Sequence, residues 1–224
     1  MSAPSDLPDG AWPWLHDTTR WVGTWLFRPW FRLRVHGGDR VPPIGGVVLV
    51  ANHSSLIEPQ MIYGLTGRRS VFLVKSEIAG GGLLGGALRA IGQLSVRRGS
   101  PDRKALDAAV RVLRGGGLVA VFPEGTRGDG DVQHAEQGAA WLVRCTGAVV
   151  LPVAVRGTRR PDDRRRRWRP EVDLLFGEAF PLTVHRGRTG LTDGTETIRT
   201  TLADLVRELD ELREARRGKE VRHD

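Results

Sequence analysis

The chain has 224 residues, which favours one large domain, and its 40% apolar content can fill a core, so disorder throughout is excluded. A single cysteine, Cys145, excludes an intramolecular disulfide framework and a multi-cysteine zinc site. The net charge of +8, with 31 arginines among 34 basic residues, leaves nucleic acid, an anionic membrane and a phosphorylated substrate open as partners.

Five of the seven tryptophans fall in the first 30 residues: Trp12, Trp14, Trp21, Trp25 and Trp30. On a helix, Trp14, Trp21 and Trp25 share one stripe with Val22 and Leu26 beside them, and Arg20, Arg28, Arg32 and Arg34 punctuate the stretch. Tryptophan with arginine suits a bilayer interface; the alternative is a helix that docks its aromatics on the protein's own core. Pro29 is expected to end or kink this helix. No segment reaches the roughly 18 continuous apolar residues of a spanning helix, and the opening residues lack the basic-then-apolar order of a secretory signal.

Beyond residue 40, short β-branched runs alternate with helical stretches. Strands are predicted at Val47–Ala51, Val71–Val74, Gln93–Val96, Leu118–Phe122, Val149–Val155 and Val172–Phe176. Helices are predicted at Pro59–Leu65, Leu83–Ile91, Asp102–Arg114, Ala135–Cys145 and Glu196–Arg217. The alternation reads as an α/β fold, with a central mostly parallel or mixed sheet covered by helices. The organisation expected is an N-terminal amphipathic membrane-surface segment (1–36), a main α/β domain (37–190) and a C-terminal helix (191–224) packed on the domain edge.

The charge is concentrated. Residues 156–169 carry eight arginines (156, 159, 160, 164–167 and 169) against Asp162 and Asp163, a local +6. No recognised nucleic-acid module accompanies it, so nucleic acid is not an expected partner.

Three strand exits carry chemistry. The run Val47–Ala51 leads into Asn52-His53-Ser54-Ser55-Leu56-Ile57-Glu58-Pro59, and Pro59 at a first helical position would make Glu58 the N-cap. His53 and Glu58 then meet only if a turn lies between them, since five residues of regular helix is about 500° of rotation. Leu118–Phe122 leads into Pro123-Glu124-Gly125-Thr126-Arg127, a tight turn, and Gln93–Val96 delivers Arg97 and Arg98. Together they read as a general base beside a phosphate-bearing substrate; singly, each reads as a structural histidine or a loop of surface arginines. Gly80–Gly85 fits a dinucleotide string, but no predicted strand abuts it. His16, His36, His134, His185 and His223 are isolated and without metal-ligand spacing, and Cys145 reads as a core residue.

The Asn-His-Ser-Ser-x-x-Glu block, Val96-Arg97-Arg98-Gly99, Phe122–Arg127 and Val150–Val155, in that order, resemble the glycerolipid (lysophospholipid) acyltransferase family, whose type member is 1-acyl-sn-glycerol-3-phosphate O-acyltransferase. The resemblance covers roughly residues 30 to 185. It implies a glycerol-3-phosphate acyltransferase-like fold, His53 as general base and Glu58 as the carboxylate that orients it. It places substrate contacts at Asn52, Ser55, Arg98, Glu124, Gly125, Thr126, Arg127 and Pro152, with Arg98 and Arg127 on the acceptor phosphate and Pro152 lining the acyl site. Two departures stand out: the family usually has Asp where Glu58 stands, and commonly a lysine near Glu136.

The reaction implied is transfer of a fatty acyl group from acyl-CoA or acyl-carrier protein, as co-substrate, to the free hydroxyl of lysophosphatidate, giving phosphatidate. It calls for no metal and no bound cofactor. Another lysophospholipid or a glycolipid acceptor, and a catalytically weak lipid-binding member of the fold, are the alternatives. The expected partners are the lysophospholipid, the acyl donor and an anionic membrane surface, with the chain peripheral on the cytoplasmic face.

Overall fold

The computed structural model describes residues 6–76, 82–96, 102–125, 128–159 and 168–220. In chain order the elements are α1 (Pro13–Leu26), β1 (Arg32–His36), β2 (Val47–Ala51), α2 (Glu58–Leu65), β3 (Ser70–Lys75), α3 (Gly82–Ala90), β4 (Leu94–Val96), α4 (Arg103–Arg114), β5 (Leu118–Val121), α5 (Gly138–Thr146), β6 (Val149–Arg156), β7 (Glu171–Phe176) and α6 (Gly187–Glu220). The strands form one seven-stranded mixed sheet in the order β1-β7-β6-β2-β5-β3-β4. All neighbours are parallel except β6 and β7.

β2 sits at the centre because its sequence, Val-Val-Leu-Val-Ala, is apolar on both faces, and all five residues are buried. Val47, Leu49 and Ala51 face a core shared with Met61, Ile62 and Tyr63 of α2. Val48 and Val50 face α4 and α5 through Ala109, Leu113, Ala140 and Val143. Burial of each such aliphatic side chain is worth roughly 1.5–3 kcal/mol, so both layers fix the height at which β2 ends.

α1 begins with Pro13 at its first position and ends at Leu26, before Pro29, as that proline predicts. It crosses α2 at Gly23 and Gly64, where a Cβ on Gly64 would lie 2.7 Å from the Gly23 carbonyl carbon, so only glycine lets the two backbones approach this closely. Thr24 Oγ1 donates to the Gly64 carbonyl at 2.8 Å. His16 pins the start of α1: fully buried, it contacts the Ile91 carbonyl through Nδ1 at 2.7 Å and accepts the Ser70 N–H at Nε2. The carbonyl makes Nδ1 the protonated nitrogen, and burial pushes the His16 pKa down, so the neutral ring is the form that packs. The tryptophans do not dock on the core: Trp14, Trp21 and Trp25 are 63%, 65% and 52% exposed.

Two elements differ from expectation. β1, Arg-Leu-Arg-Val-His, falls inside the stretch read as a membrane-surface segment but forms the edge strand, paired parallel with β7. The C-terminal helix starts at Gly187 rather than Glu196 and buries Ile198, Leu202, Leu205, Val206 and Leu209. It also encloses Asp173, fully buried on β7, whose carboxylate takes Arg213 at 2.8 Å and Arg216 at 2.9 Å.

The arginine-rich window is less free than its count implies. Arg156 pairs with Asp131 at 2.7 Å and Asp210 at 2.8 Å, Arg159 pairs with Asp129, and Arg169 donates to the Arg28 carbonyl. Residues 160–167 lie outside the described residues. Among the described residues no helix is long and apolar enough to cross a membrane.

Candidate active site

Three adjacent parallel strands, β6, β2 and β5, end at the same edge of the sheet and deliver Thr158, His53 and Glu124 just beyond their last residues. Crevices outside the carboxyl ends of strands are where open α/β sheets hold ligands. His53 Nδ1 lies 3.0 Å from Glu58 Oε2. The intervening residues turn sharply enough for this contact, as the spacing requires.

Glu58 is not the N-cap expected from Pro59. It is the first residue of α2, and Ile57 occupies the cap position without a side-chain bond. The carboxylate instead folds back over the preceding turn. Its Oε2 accepts the Ser54 N–H at 2.8 Å and the Ser55 N–H at 3.2 Å, and its Oε1 accepts the Ser54 and Thr158 hydroxyls, each at 2.6 Å. Burial alone would push this carboxyl up, but the hydrogen bonds from His53, Ser54 and Thr158 outweigh it and hold Glu58 below its ordinary value. Glu58 is therefore ionised at neutral pH and can only accept, so Nδ1 of His53 carries a proton, and in the neutral ring Nε2 is the nitrogen with the lone pair. Among the described residues none hydrogen-bonds to Nε2, and the His53 side chain keeps 15% of its exposure. The Phe122 ring stacks on the imidazole at 4.3 Å between centroids.

Glu124 holds the backbone of His53. Its Oε1 accepts the His53 N–H at 2.8 Å, while the His53 carbonyl accepts the Gly128 N–H at 3.0 Å, so the turn after β5 clamps the histidine peptide from both sides. Among the described residues the bond from the His53 N–H is the one side-chain bond of Glu124, and burial pushes the Glu124 pKa up.

The remaining predicted residues divide. Asn52 is fully buried with its amide engaged by backbone: Nδ2 donates to Gly130 and Val155 carbonyls at 3.1 and 3.0 Å, and Oδ1 accepts the Val155 N–H at 2.8 Å. This differs from the substrate contact expected of it; Asn52 extends the β2–β6 pairing by side-chain bonds. Ser55 contributes its N–H to Glu58. Gly125 adopts φ +64, and a Cβ there would lie 2.5 Å from Glu136 Oε1, so this turn needs glycine. Pro152 is buried in β6, paired in register with Val50, and a Cβ on Gly177 would lie 2.8 Å from its Cγ. Arg98, Thr126 and Arg127 lie outside the described residues.

Sequence reasoning missed Thr158 and the Phe122 ring. Phe122 lay inside a block already singled out, and its aromatic type beside the third strand exit was an available signal. Thr158 was hidden among the arginines of residues 156–169.

With the geometry in place, comparison with known proteins gives a consistent picture. The Acyltransferase family profile matches residues 32–156. A 1-acyl-sn-glycerol-3-phosphate acyltransferase of Bacillus subtilis is 23% identical over 184 residues, 80% of this chain and 91% of the relative. A lyso-ornithine lipid O-acyltransferase of Pseudomonas aeruginosa is 32% identical over 178 residues, 76% of this chain and 62% of the relative. Among solved structures, the 1-acyl-sn-glycerophosphate (LPA) acyltransferase PlsC of Thermotoga maritima superposes with a TM-score of 0.64 at 26% identity, over 89% of this chain and 78% of that one. The match runs from β1 through β6 and so spans His53, Glu58 and the Glu124 turn; this chain belongs to the acyltransferase family.

Proposed function

We propose that this chain transfers an acyl group from a thioester, acyl-CoA or acyl-carrier protein, to the free hydroxyl of lysophosphatidate, with His53 as general base. The observation that carries the reading is the buried, ionised Glu58 at 3.0 Å from His53 Nδ1, which sets the tautomer needed at Nε2. The acceptor hydroxyl loses its proton to Nε2 as its oxygen bonds to the thioester carbonyl carbon. The carbon–sulfur bond then breaks, and the imidazolium returns the proton to the departing thiolate. Glu58 stabilises the imidazolium in between. Ser54 is not placed as a nucleophile, because its hydroxyl donates to Glu58 at 2.6 Å and has no bond to the imidazole. This supports direct transfer to the acceptor as the proposed route. Arg98 and Arg127 remain the residues proposed to hold the acceptor phosphate and aim its hydroxyl. The exposed Trp14, Trp21 and Trp25 stripe supports a peripheral position at a membrane, for which we propose an anionic leaflet on the cytoplasmic face.

The test is turnover of purified chain with acyl-CoA or acyl-carrier protein and lysophosphatidate, beside His53→Ala. Loss of about 10²–10⁴-fold in the variant is expected of a general base. Turnover that survives the substitution, or an acyl-enzyme trapped on Ser54 or Ser55, would overturn it. A second reading, a different lysolipid acceptor, draws support from the Pseudomonas aeruginosa relative and its higher identity. An acceptor panel containing lyso-ornithine lipid decides between them by rate.

A further inference from the structure

A groove of about 490 Å³, within the range of small-molecule sites, runs along the free edge of β1. Among the described residues its lining holds three arginines, Arg28, Arg32 and Arg169, and no acidic residue. The acid opposite Arg32 in register, Glu171, is already engaged by Arg34 at 3.1 Å and Arg216 at 3.3 Å. Arg169 donates to the Arg28 backbone carbonyl at 2.9 Å, which ties the Arg169 side chain to the main chain at the Arg28 corner of the groove. The rest of the lining is apolar, chiefly Leu33, Val35 and Leu65.

The topology gives the groove a direction. β1 is parallel to β7, which opposes β6 and β2, so Arg32 at the start of β1 lies at the His53 end of the sheet. Val35 lies toward the opposite end, as does Leu65, the last residue of the helix that returns from Glu58. The charged mouth and the active site thus open at one end, and the apolar trough leads away from it. Beside the mouth stand Trp25 and Trp30, 52% and 62% exposed, with the Arg28 guanidinium 4.6 Å from the Trp25 ring centroid. Three guanidiniums above an apolar trough, next to exposed indoles, match one chemistry: an anionic headgroup joined to a hydrocarbon chain.

We propose that this groove holds an anionic phospholipid of the leaflet, with its phosphate at Arg28, Arg32 and Arg169 and one acyl chain lying over Leu33, Val35 and Leu65. It is separate from the acceptor site. β1 is three strand spacings from β2, about 14 Å, which is farther than the hydroxyl and phosphate of a single glycerol phosphate span. The bound lipid would fix the sheet edge against the membrane and keep the His53 end of the sheet facing the pool of acceptor.

The experiment uses the full chain with vesicles of phosphatidylglycerol and phosphatidylcholine, a fraction of the phosphatidylglycerol bearing a photoactivatable group at its acyl tail. Cross-links are mapped by peptide mass spectrometry. They are expected at residues 33–35 and at Leu65, with at least tenfold lower yield in an Arg28→Gln/Arg32→Gln variant of unchanged Tm. Equally good labelling of the groove by a tail-labelled phosphatidylcholine would overturn the charge selectivity. Cross-links confined to the α1 tryptophans would overturn the site, and so would wild-type yield in the double variant. Displacement of the lipid by millimolar inorganic phosphate, with no tail cross-link in the trough, would mean a free-anion site and also overturn it. His53→Ala is expected to keep the cross-links, so failure of the catalytic reading and failure of this one are separable.

Discussion

Two glutamates flank His53, and the molecule treats them oppositely. Glu58, at the start of α2, is completely buried yet sits below its ordinary pKa; Glu124, in the turn after β5, is less enclosed yet sits above it. The difference is the number of donors each carboxylate meets. Among the described residues, Glu58 accepts from the imidazole, two backbone N–H groups and two hydroxyls, whereas Glu124 accepts from the His53 N–H alone. Burial therefore does not decide protonation here; the local supply of donors does. The same contrast assigns roles: Glu58 is built to stay charged beside the imidazole, and Glu124 to hold a peptide in place.

The largest expected effect comes from breaking the first region. Glu58→Gln keeps the shape but replaces one acceptor oxygen by an amide that faces existing donors. A loss of about 3 kcal/mol in unfolding free energy is expected by chemical denaturation, with a large fall in turnover as the His53 tautomer is no longer imposed. Its pH signature is specific. Because the folded pKa of Glu58 is depressed, its contribution is complete above the unfolded value of 4.5 and disappears as pH falls through the folded pKa. The wild-type chain should therefore lose stability in the acid range below about 4.5, and Glu58→Gln should flatten that limb. An unchanged limb would show that the donors do not control the carboxylate.

Thr158→Val removes one of the two hydroxyls on Oε1 while leaving Ser54 in place. About 1 kcal/mol of stability should be lost, with a smaller drop in kcat than Glu58→Gln causes and the shape of the pH–rate profile kept. A loss of activity as large as that of Glu58→Gln would mean that Thr158 does more than share the carboxylate.

How much of this was legible from the chain follows from which contacts are local. β2 was readable to the residue because a strand covered on both faces is an unbroken apolar run. The contact between His53 and Glu58 was readable because both lie in one turn beside a proline. β1 was not, since an edge strand that alternates arginine with Leu33 and Val35 carries too few apolar residues to stand out. Gly187–Glu196 of α6 was hidden by glycines and threonines, which lower helix propensity, although packing overrides it. Thr158 reaches Glu58 across 100 residues of sequence, through the pairing of β6 with β2, which no local pattern announces. The charge count failed for the same reason: Asp129, Asp131 and Asp210, which neutralise Arg159 and Arg156, lie far from them along the chain.

The smallest expected effect is the sharpest test of the contrast. Glu124→Gln keeps an oxygen that can accept the His53 N–H and removes a charge that burial disfavours. For a carboxyl with a raised folded pKa, the sign reverses relative to Glu58. The cost of ionising it in the folded chain is absent below 4.5, grows as pH rises from there toward the folded pKa, and is complete above it. Glu124→Gln should therefore leave the chain as stable as wild type or a few tenths of a kcal/mol more stable at pH 7, with no gain at pH 4. Glu124→Ala, which also removes the acceptor, should be less stable than either, because the His53 N–H is then left unpaired. If Glu124→Gln were instead as damaging as Glu58→Gln, the charge on Glu124 would be needed at the site. Glu124 would then be acting on substrate as well as on the His53 peptide, and a rise in KM for the acceptor would be its signature.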